Sequence, residues 1–151
     1  MAQNRKGVTL AELLVVFAVM AVLLGIGVPR FHSMAERSGV DAARDQVLSA
    51  INLARRTAVR RGATTTFNAS GNEIWVTVDS SGTQVDVLRK IELLANYEVS
   101  LATTGNAAAI QYNTRGLASN ADGTIGLTRG SKSASICITK LGAALRLACP
   151  A

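Results

Sequence analysis

The feature that most constrains this chain is an apolar segment of 21 residues, 8–28, with the sequence VTLAELLVVFAVMAVLLGIGV and one charged side chain, Glu12. An α-helix rises about 1.5 Å per residue, so this segment reaches about 31 Å, close to the roughly 30 Å hydrocarbon layer of a bilayer. A helix that is apolar on every side needs a large protein around it to be a core helix, and the rest of the 151-residue chain is too short for that. The segment therefore predicts one membrane span.

The same segment differs from a cleaved secretory signal. Such a signal has an apolar stretch of roughly 7–15 residues and ends in a small-residue cleavage site, whereas this segment is longer and runs into Gly-Val-Pro-Arg. Arg5 and Lys6 precede the segment and no acidic residue does. The positive-inside rule therefore predicts a cytoplasmic amino terminus, with the rest of the chain on the other side of the membrane.

Glu12 lies one helical turn inside the predicted span, where an ionised carboxylate is costly unless it finds a partner. One explanation is that the carboxylate of a plain signal anchor reaches the headgroups, although glutamate is short and its neighbours are strongly apolar. The other explanation is a partner charge from a second copy of the chain. If the chain were cut after Gly7, the new α-amine of Val8 in one copy would neutralise Glu12 in its neighbour as their helices pack side by side.

The stretch RKGVTLAELLVV resembles the class III leader of type IV pilins and type II secretion pseudopilins. Both have a short basic leader, a glycine at the cut and a glutamate in fifth place after it. The resemblance implies that a membrane-embedded prepilin peptidase cleaves after Gly7 and N-methylates Val8, where the family usually has Phe or Met. It also implies that Glu12 and Pro29, at the place of a helix-weakening proline, serve filament assembly. The implied partners are other pilin subunits, the prepilin peptidase, an inner-membrane assembly platform and the lipid bilayer.

An amphipathic helix is predicted to follow the span and to end at residue 61. Apolar residues recur at steps of three and four, Gly62 provides a stop, and arginines occupy the last turns, where the helix dipole favours cations. The apolar positions are Val40, Ala43, Val47, Ile51, Ala54 and Ala58. We therefore expect a leader at 1–7, a transmembrane and filament-core helix at 8–29, an amphipathic helix at 30–61 and a periplasmic β-rich head at 62–151.

Short runs typical of β-strands, separated by turn signals, fill the sequence after Gly62. The predicted strands cover 63–68, 73–79, 85–91, 97–102, 108–112, 124–127, 133–139 and 144–149, with surface loops at 103–106 and 114–123. Trp75 is predicted to lie in the head core. The expected fold class is α+β and pilin-like: a long N-terminal helix, transmembrane and then amphipathic, packed on an antiparallel β head.

The sequence has two cysteines, Cys137 and Cys149. In a hairpin whose turn is centred near Ala143 they lie opposite each other, close enough for a disulfide. Outside the cytoplasm such a bridge is favoured and stabilises the fold by about 3 kcal/mol. The alternative is two reduced thiols or a partial metal site. Because the single histidine, His32, lies far along the chain, neither a metal site nor a cofactor is predicted.

The stretch INLARRTAVRRG before the first strand resembles the GspH/FimT family of minor pseudopilins and minor pilins, which often read LaRseAikRg there. Some competence-related members of that family bind DNA through a C-terminal hairpin that carries Gly-Arg-x-Arg. In this sequence Ala143 follows Gly142 in place of the first arginine, and Arg146 is displaced by one residue.

The formal net charge is +6 with a pI of about 10, and removal of the leader takes away two cations. The basic C-terminal half predicts either an ordinary solvated surface or a surface that attracts DNA phosphates. The candidate DNA contacts are Lys140, Arg146, Arg129 and Lys132.

Catalytic signatures are missing from the sequence, which has no Gly-x-Ser-x-Gly turn, second histidine or Gly-rich phosphate loop. The first hypothesis is a non-enzymatic structural subunit of a type IV pilus or a type II secretion pseudopilus. It is inserted in the bacterial inner membrane and assembled into a periplasmic pseudopilus or an extracellular pilus. The alternative is a minor pilin that binds DNA for natural transformation. A signal-anchored enzyme is the third hypothesis.

Overall fold

The computed structural model describes residues 9–146, and these divide between Ala35 and Glu36 into two units, residues 9–35 and 36–146. One helix, α1, covers Leu10–Arg61 and contributes residues to both. In the first unit the described residues are helical from Leu10 onward, and every large apolar side chain among them is at least 49% exposed. These side chains therefore make no core of their own.

The part of α1 that belongs to the second unit has one buried face. The six predicted apolar positions, from Val40 to Ala58, are all at most 3% exposed, which confirms the amphipathic pattern. The helix ends at Arg61 as predicted, and the next residue, Gly62, has a φ of +60°. The Ala63 N–H donates to the Ala58 carbonyl at 3.3 Å, a six-residue closure that satisfies one of the last carbonyls of the helix.

Two antiparallel sheets follow the helix within residues 65–146, and their elements are β1 (Thr65–Ser70), β2 (Glu73–Ser80), β3 (Thr83–Glu92), α2 (Leu93–Tyr97), β4 (Ser100–Gly105), a 3₁₀ helix (Asn106–Ala108), β5 (Ala109–Tyr112), β6 (Gly123–Arg129), β7 (Lys132–Ile138) and β8 (Ala144–Leu145). Sheet I has the strand order β3-β2-β1-β5 and sheet II the order β4-β6-β7-β8. The α+β prediction, a helix on an antiparallel head, is confirmed, and the head consists of two sheets.

The core of the second unit lies between the helix and the inner faces of both sheets. Sheet I contributes Phe67 and Ile74, sheet II contributes Ile125 and Ile136, and α1 contributes Ile51 to one continuous cluster of buried side chains. Alternate residues of β1 and β6 point into this cluster, which explains why these strands read as alternating patterns in the sequence.

The predicted strand at 97–102 and the predicted loop at 103–106 are wrong in part. Residues 93–97 form α2, with Leu93 fully buried, and the chain turns through Glu98 at φ +56° before β4 begins. β4 then extends through Gly105, which pairs with Gly123 of β6. At Gly123 a Cβ atom would collide with the Thr104 carbonyl. This pairing depends on two facing glycines, and a polar, glycine-containing stretch looks like a loop in the sequence.

Trp75 was predicted in the core, but its side chain is only half-buried and lies on the other face of β2 from the fully buried Ile74 and Val76. The Lys90 Nζ lies 4.9 Å from the centre of the indole ring and 2.8 Å from the Glu73 carboxylate. A cation over the ring is a favourable position for an exposed ammonium group. The tryptophan therefore belongs to the outer face of sheet I.

The register predicted for the C-terminal hairpin is also wrong. Cys137 pairs with Leu145 and Ile138 with Ala144, so the turn is centred on Leu141. Gly142, at φ +78°, provides the left-handed residue of this turn. Cys137 is buried, whereas Cys149 lies outside the described residues. The observed register therefore does not place Cys149 opposite Cys137, and the Cys137–Cys149 disulfide stays a prediction.

Candidate assembly site

The start of α1 is closed by a reciprocal pair of hydrogen bonds between Thr9 and Glu12. The Glu12 carboxylate accepts the Thr9 N–H at 2.9 Å and the Thr9 hydroxyl at 3.2 Å, and the Thr9 Oγ1 accepts the Glu12 N–H at 3.3 Å. This is a capping box, in which a threonine and a glutamate three residues later satisfy backbone donors that the first turn leaves free. The Thr-x-x-Glu spacing of the sequence contains this signal, which sequence reasoning missed.

Beyond this cap, α1 presents an apolar surface that the described residues leave uncovered. An 18-residue window of the helix has a mean hydropathy of 2.6, and none of it is buried. The large side chains at both ends of this stretch are well exposed, with Leu10 at 77% and Phe31 at 75%. The helix is long and apolar enough to cross a membrane.

Glu12 is the single acidic residue of this apolar stretch, and its partner in the structure is Thr9 of its own chain. Gly7 and Val8, which carry the predicted cleavage and methylation, lie outside the described residues. α1 is helical at residue 29, and the side chain of Pro29 is not among those described. The amine partner predicted for Glu12 therefore remains a prediction, and so do the roles of Gly7, Val8 and Pro29.

Two of the four candidate DNA contacts form ion pairs within the chain. Arg129 Nη2 donates to the Glu98 carboxylate. The guanidinium of Arg129 lies against Gly39 of α1, and a Cβ atom on residue 39 would collide with it. Arg146 Nη2 donates to Asp45 of the same helix at 2.7 Å. Arg129 therefore pairs with the residue that follows α2 and contacts α1 at Gly39, whereas Arg146 links the residue after β8 directly to α1. The role of Gly39 in making room for Arg129 was not visible in the sequence.

The structure also separates the four candidates into two pairs. Arg129 and Lys132 face each other across the β6–β7 turn, whereas Lys140 and Arg146 flank the β7–β8 turn at the other end of β7. β7 runs from Lys132 to Ile138, so at about 3.3 Å per residue the two turns are about 20 Å apart. The four cations do not form one patch.

A buried tyrosine joins the two sheets near the same C-terminal turn. The Tyr112 hydroxyl donates to the Gly142 carbonyl at 2.8 Å, and the ring packs where a Cβ on Gly142 would lie 2.7 Å from its Cε1. Burial raises the pKa of Tyr112 to about 12, although the positive charge of Arg55 acts in the opposite direction. Within residues 9–146 no cluster of three or more His, Cys, Asp or Glu side chains is arranged to hold a metal ion.

An exposed apolar helix with a capped acidic start and a two-sheet head that packs on its amphipathic part define a pilin-like subunit. The model for the family "Type II transport protein GspH" matches residues 43–142, and the model for the prokaryotic N-terminal methylation motif matches residues 2–28. The chain belongs to the GspH family. It is a minor pilin or pseudopilin, a class of structural subunits whose members are processed from prepilins and assemble with other pilin subunits.

Solved structures show the same fold. One crystal structure of the type IV minor pilin FimU from Pseudomonas aeruginosa is 16% identical and has a TM-score of 0.61, covering 76% of this chain and 92% of its own. A second crystal form gives 16% identity and a TM-score of 0.55, with 70% and 90% coverage. A comparison with curated protein sequences gives no match. None of these comparisons supports the DNA-binding alternative.

Proposed function

We propose that the chain is inserted in the bacterial inner membrane by its N-terminal helix, cleaved after Gly7, N-methylated at Val8 and assembled through Glu12 into a type IV pilus or a type II secretion pseudopilus. The observation that carries this proposal is the first part of α1, residues 10–35, in which every described large apolar side chain is exposed and one carboxylate lies in the first turn. Such a surface needs lipid before assembly and neighbouring helices afterwards.

The proposed topology is a single pass with the amino terminus in the cytoplasm and the head in the periplasm. Arg5 and Lys6 before the span support this orientation. The leader is residues 1–7, the membrane and filament-core helix 8–29, the amphipathic helix 30–61 and the head 62–151. The proposed partners are the prepilin peptidase, the inner-membrane assembly platform, the lipid bilayer and other pilin or pseudopilin subunits. No catalytic step or cofactor is part of this function.

The mass of the N-terminal peptide from a membrane preparation tests the processing step. We expect a peptide that starts at Val8 and carries one added methyl group. A peptide that starts at Met1 or Ala2 would contradict the proposal. The same preparation from cells that lack the prepilin peptidase is the control, and it should give the uncut peptide.

Two substitutions at Glu12 separate its charge from its role in the helix cap. Glu12→Gln keeps a side-chain acceptor for the Thr9 N–H and removes the charge, whereas Glu12→Ala removes both. If the charge pairs with the terminal amine of a neighbouring copy, both variants insert in the membrane but are lost from sheared filaments or from cross-linked assemblies. Assembly of the Gln variant at the level of the unsubstituted chain would show that the carboxylate acts only as a cap.

A further inference from the structure

Thr9 is the N-cap of α1 and lies close to the proposed cleavage site. The helix begins at Leu10, and the Leu13 N–H donates to the Thr9 carbonyl at 3.3 Å, the bond that an N-cap residue accepts. An N-cap residue gives this carbonyl to the helix while its own backbone is non-helical. The Gly7–Val8 bond, which the proposed function assigns to the prepilin peptidase, precedes Thr9 by a single residue. The start of the helix and the cut are therefore neighbours in the chain.

The apolar pattern alone does not make the helix begin at this point. Val8 is as apolar as most residues of the span, and a bilayer favours helical backbone because unpaired amide groups are costly in lipid. The side chains of Thr9 and Glu12 supply the signal. Thr9 Oγ1 accepts the Glu12 N–H at 3.3 Å, and the Glu12 carboxylate accepts the Thr9 N–H at 2.9 Å. Both residues are exposed, so these bonds and not packing hold the first turn.

The cap competes with a longer helix for the same backbone donors. In an α-helix each N–H donates to the carbonyl four residues earlier. If α1 extended past Thr9, the Glu12 N–H would leave the threonine hydroxyl for the Val8 carbonyl. The Ala11 N–H would take the Gly7 carbonyl in the same way. The cap and the longer helix are therefore mutually exclusive arrangements of the first turn.

The Gly7 carbonyl is the group that the peptidase must reach. Cleavage adds water across the Gly7–Val8 amide and leaves a carboxylate on Gly7 and an ammonium group on Val8. Proteases act on backbone that is locally open, because the polar groups of a helical peptide bond are occupied and the neighbouring turns surround it. A helix that begins at Leu10 makes no use of the Gly7 carbonyl, whereas a helix that extends into the leader does. An open cleavage site therefore requires a helix that starts after it.

We infer that Thr9 is a positioning residue for the processing of this chain: its hydroxyl stops α1 at Leu10 and so keeps the Gly7–Val8 bond outside the helix, open to the prepilin peptidase. The inference rests on the proposed function, because it needs cleavage after Gly7. Thr9 acts through the backbone of the first turn and not through contact with the peptidase. Glu12 has a smaller part, because Thr9 Oγ1 holds the residue-12 N–H whatever side chain residue 12 carries.

Substitutions at Thr9 test this role, with cleavage of the full chain in membranes as the readout. Asparagine and serine cap helices at least as well as threonine, whereas alanine and valine do not, although valine has the shape of threonine. After pulse labelling in cells that contain the peptidase, Thr9→Asn and Thr9→Ser should be cut at least as fast as the unsubstituted chain. Thr9→Ala and Thr9→Val should be cut about fivefold more slowly, the factor expected for loss of an N-cap. Thr83→Val, at an exposed threonine of β3, is the matched control and should be cut at the unsubstituted rate.

A second measurement shows where the helix starts in each variant. Hydrogen exchange of the Ala11 amide is followed in the uncut full-length chain, purified in detergent micelles from cells without the peptidase. This amide lies in the first turn, where a capped helix gives it no carbonyl four residues earlier, whereas the longer helix pairs it with the Gly7 carbonyl. We expect slower exchange at Ala11 in Thr9→Val than in the unsubstituted chain or in Thr9→Asn. Exchange at Ala11 that is the same in all three would overturn the inference.

The cleavage rates separate the inference from the proposed function. Equal cleavage of all Thr9 variants would overturn the inference and leave the proposed function standing, because the unsubstituted chain would still be cut after Gly7. Fast cleavage of Thr9→Val with slow cleavage of Thr9→Asn would also overturn it, since the peptidase would then recognise the shape of the threonine itself. Glu12→Ala keeps the Thr9 acceptor for the residue-12 N–H, so it should be cut at nearly the unsubstituted rate although it fails to assemble. An unsubstituted chain that stays uncut would overturn both the proposed processing and the inference.

Discussion

The hydrogen bond from Tyr112 to Gly142 provides a test of how the head is held together. Tyr112 is fully buried at the end of β5, and its hydroxyl donates to a carbonyl of the turn that precedes β8. Tyr112→Phe keeps the ring and removes only the donor. The variant leaves the Gly142 carbonyl without this partner, so we expect the free energy of unfolding at neutral pH to fall by about 1–2 kcal/mol.

The same residue predicts a specific loss of stability in alkali. Its folded pKa is raised to about 12 by burial, while the unfolded chain has a tyrosine pKa of about 10. The protonated form is therefore favoured by folding, and the stabilisation is complete below about pH 10. It is lost as the pH rises from about 10 to 12, at about 1.4 kcal/mol per pH unit, or about 2–3 kcal/mol in all. Tyr112→Phe cannot ionise and should lack this decline.

The assay is urea unfolding of the detergent-solubilised chain at several pH values, followed by the fluorescence of Trp75, the single tryptophan of the sequence. Tyr97→Phe is the matched control, since Tyr97 is the other tyrosine and its hydroxyl has no hydrogen-bond partner within residues 9–146. We expect the control to behave as the unsubstituted chain does. If Tyr112→Phe loses stability between pH 10 and 12 as steeply as the unsubstituted chain, the buried tyrosine is not the titrating group and the reasoning fails.

Three glycine substitutions give graded predictions in the same unfolding assay. Gly142→Ala should destabilise the head by about 3 kcal/mol, because φ is +78° and the new Cβ would lie 2.7 Å from a Tyr112 ring carbon. Gly62→Ala, with a φ of +60° but open space around it, should cost only about 1 kcal/mol. Gly39→Ala displaces the Arg129 guanidinium, at a cost of about 1 kcal/mol that offsets the helix propensity gained over glycine, so the net change should be near zero. It should become a gain of about 1 kcal/mol when Glu98→Ala is already present. Equal losses for the first two variants, or full additivity for the last pair, would contradict these assignments.

Much of the helix could be predicted from the sequence because its signals are local. The apolar periodicity from Val40 to Ala58 depends only on residues three and four apart, and Gly62 ends the helix through its own backbone conformation. The exposed apolar stretch and Glu12 were likewise visible, because they need no tertiary information. The Thr9–Glu12 cap is equally local and could have been found from its spacing alone.

The head was harder to predict because its elements depend on contacts between distant residues. The facing pair Gly105 and Gly123 makes a strand of a stretch that reads as a loop. The C-terminal hairpin pairs Cys137 with Leu145 because the turn closes at Gly142 under the Tyr112 ring, and no local pattern places that ring there. The partner of Cys137 in the sheet is therefore Leu145, four residues before the predicted Cys149.

The pairing of charged side chains also depends on the fold and could not be predicted from the sequence. The sequence places an excess of cations in the C-terminal half, but Arg129 and Arg146 are neutralised there by Glu98 and by Asp45 of the helix. Arg55, Arg56 and Arg60 lie near the end of α1, where the helix dipole seemed a sufficient explanation, and they form none of the ion pairs among residues 9–146. A formal count treats these arginines alike, whereas the fold decides which of them meet a carboxylate in their own chain. Because an ion pair within a chain weakens attraction to a partner, Arg129 and Arg146 add less to a positive surface than the sequence alone suggests.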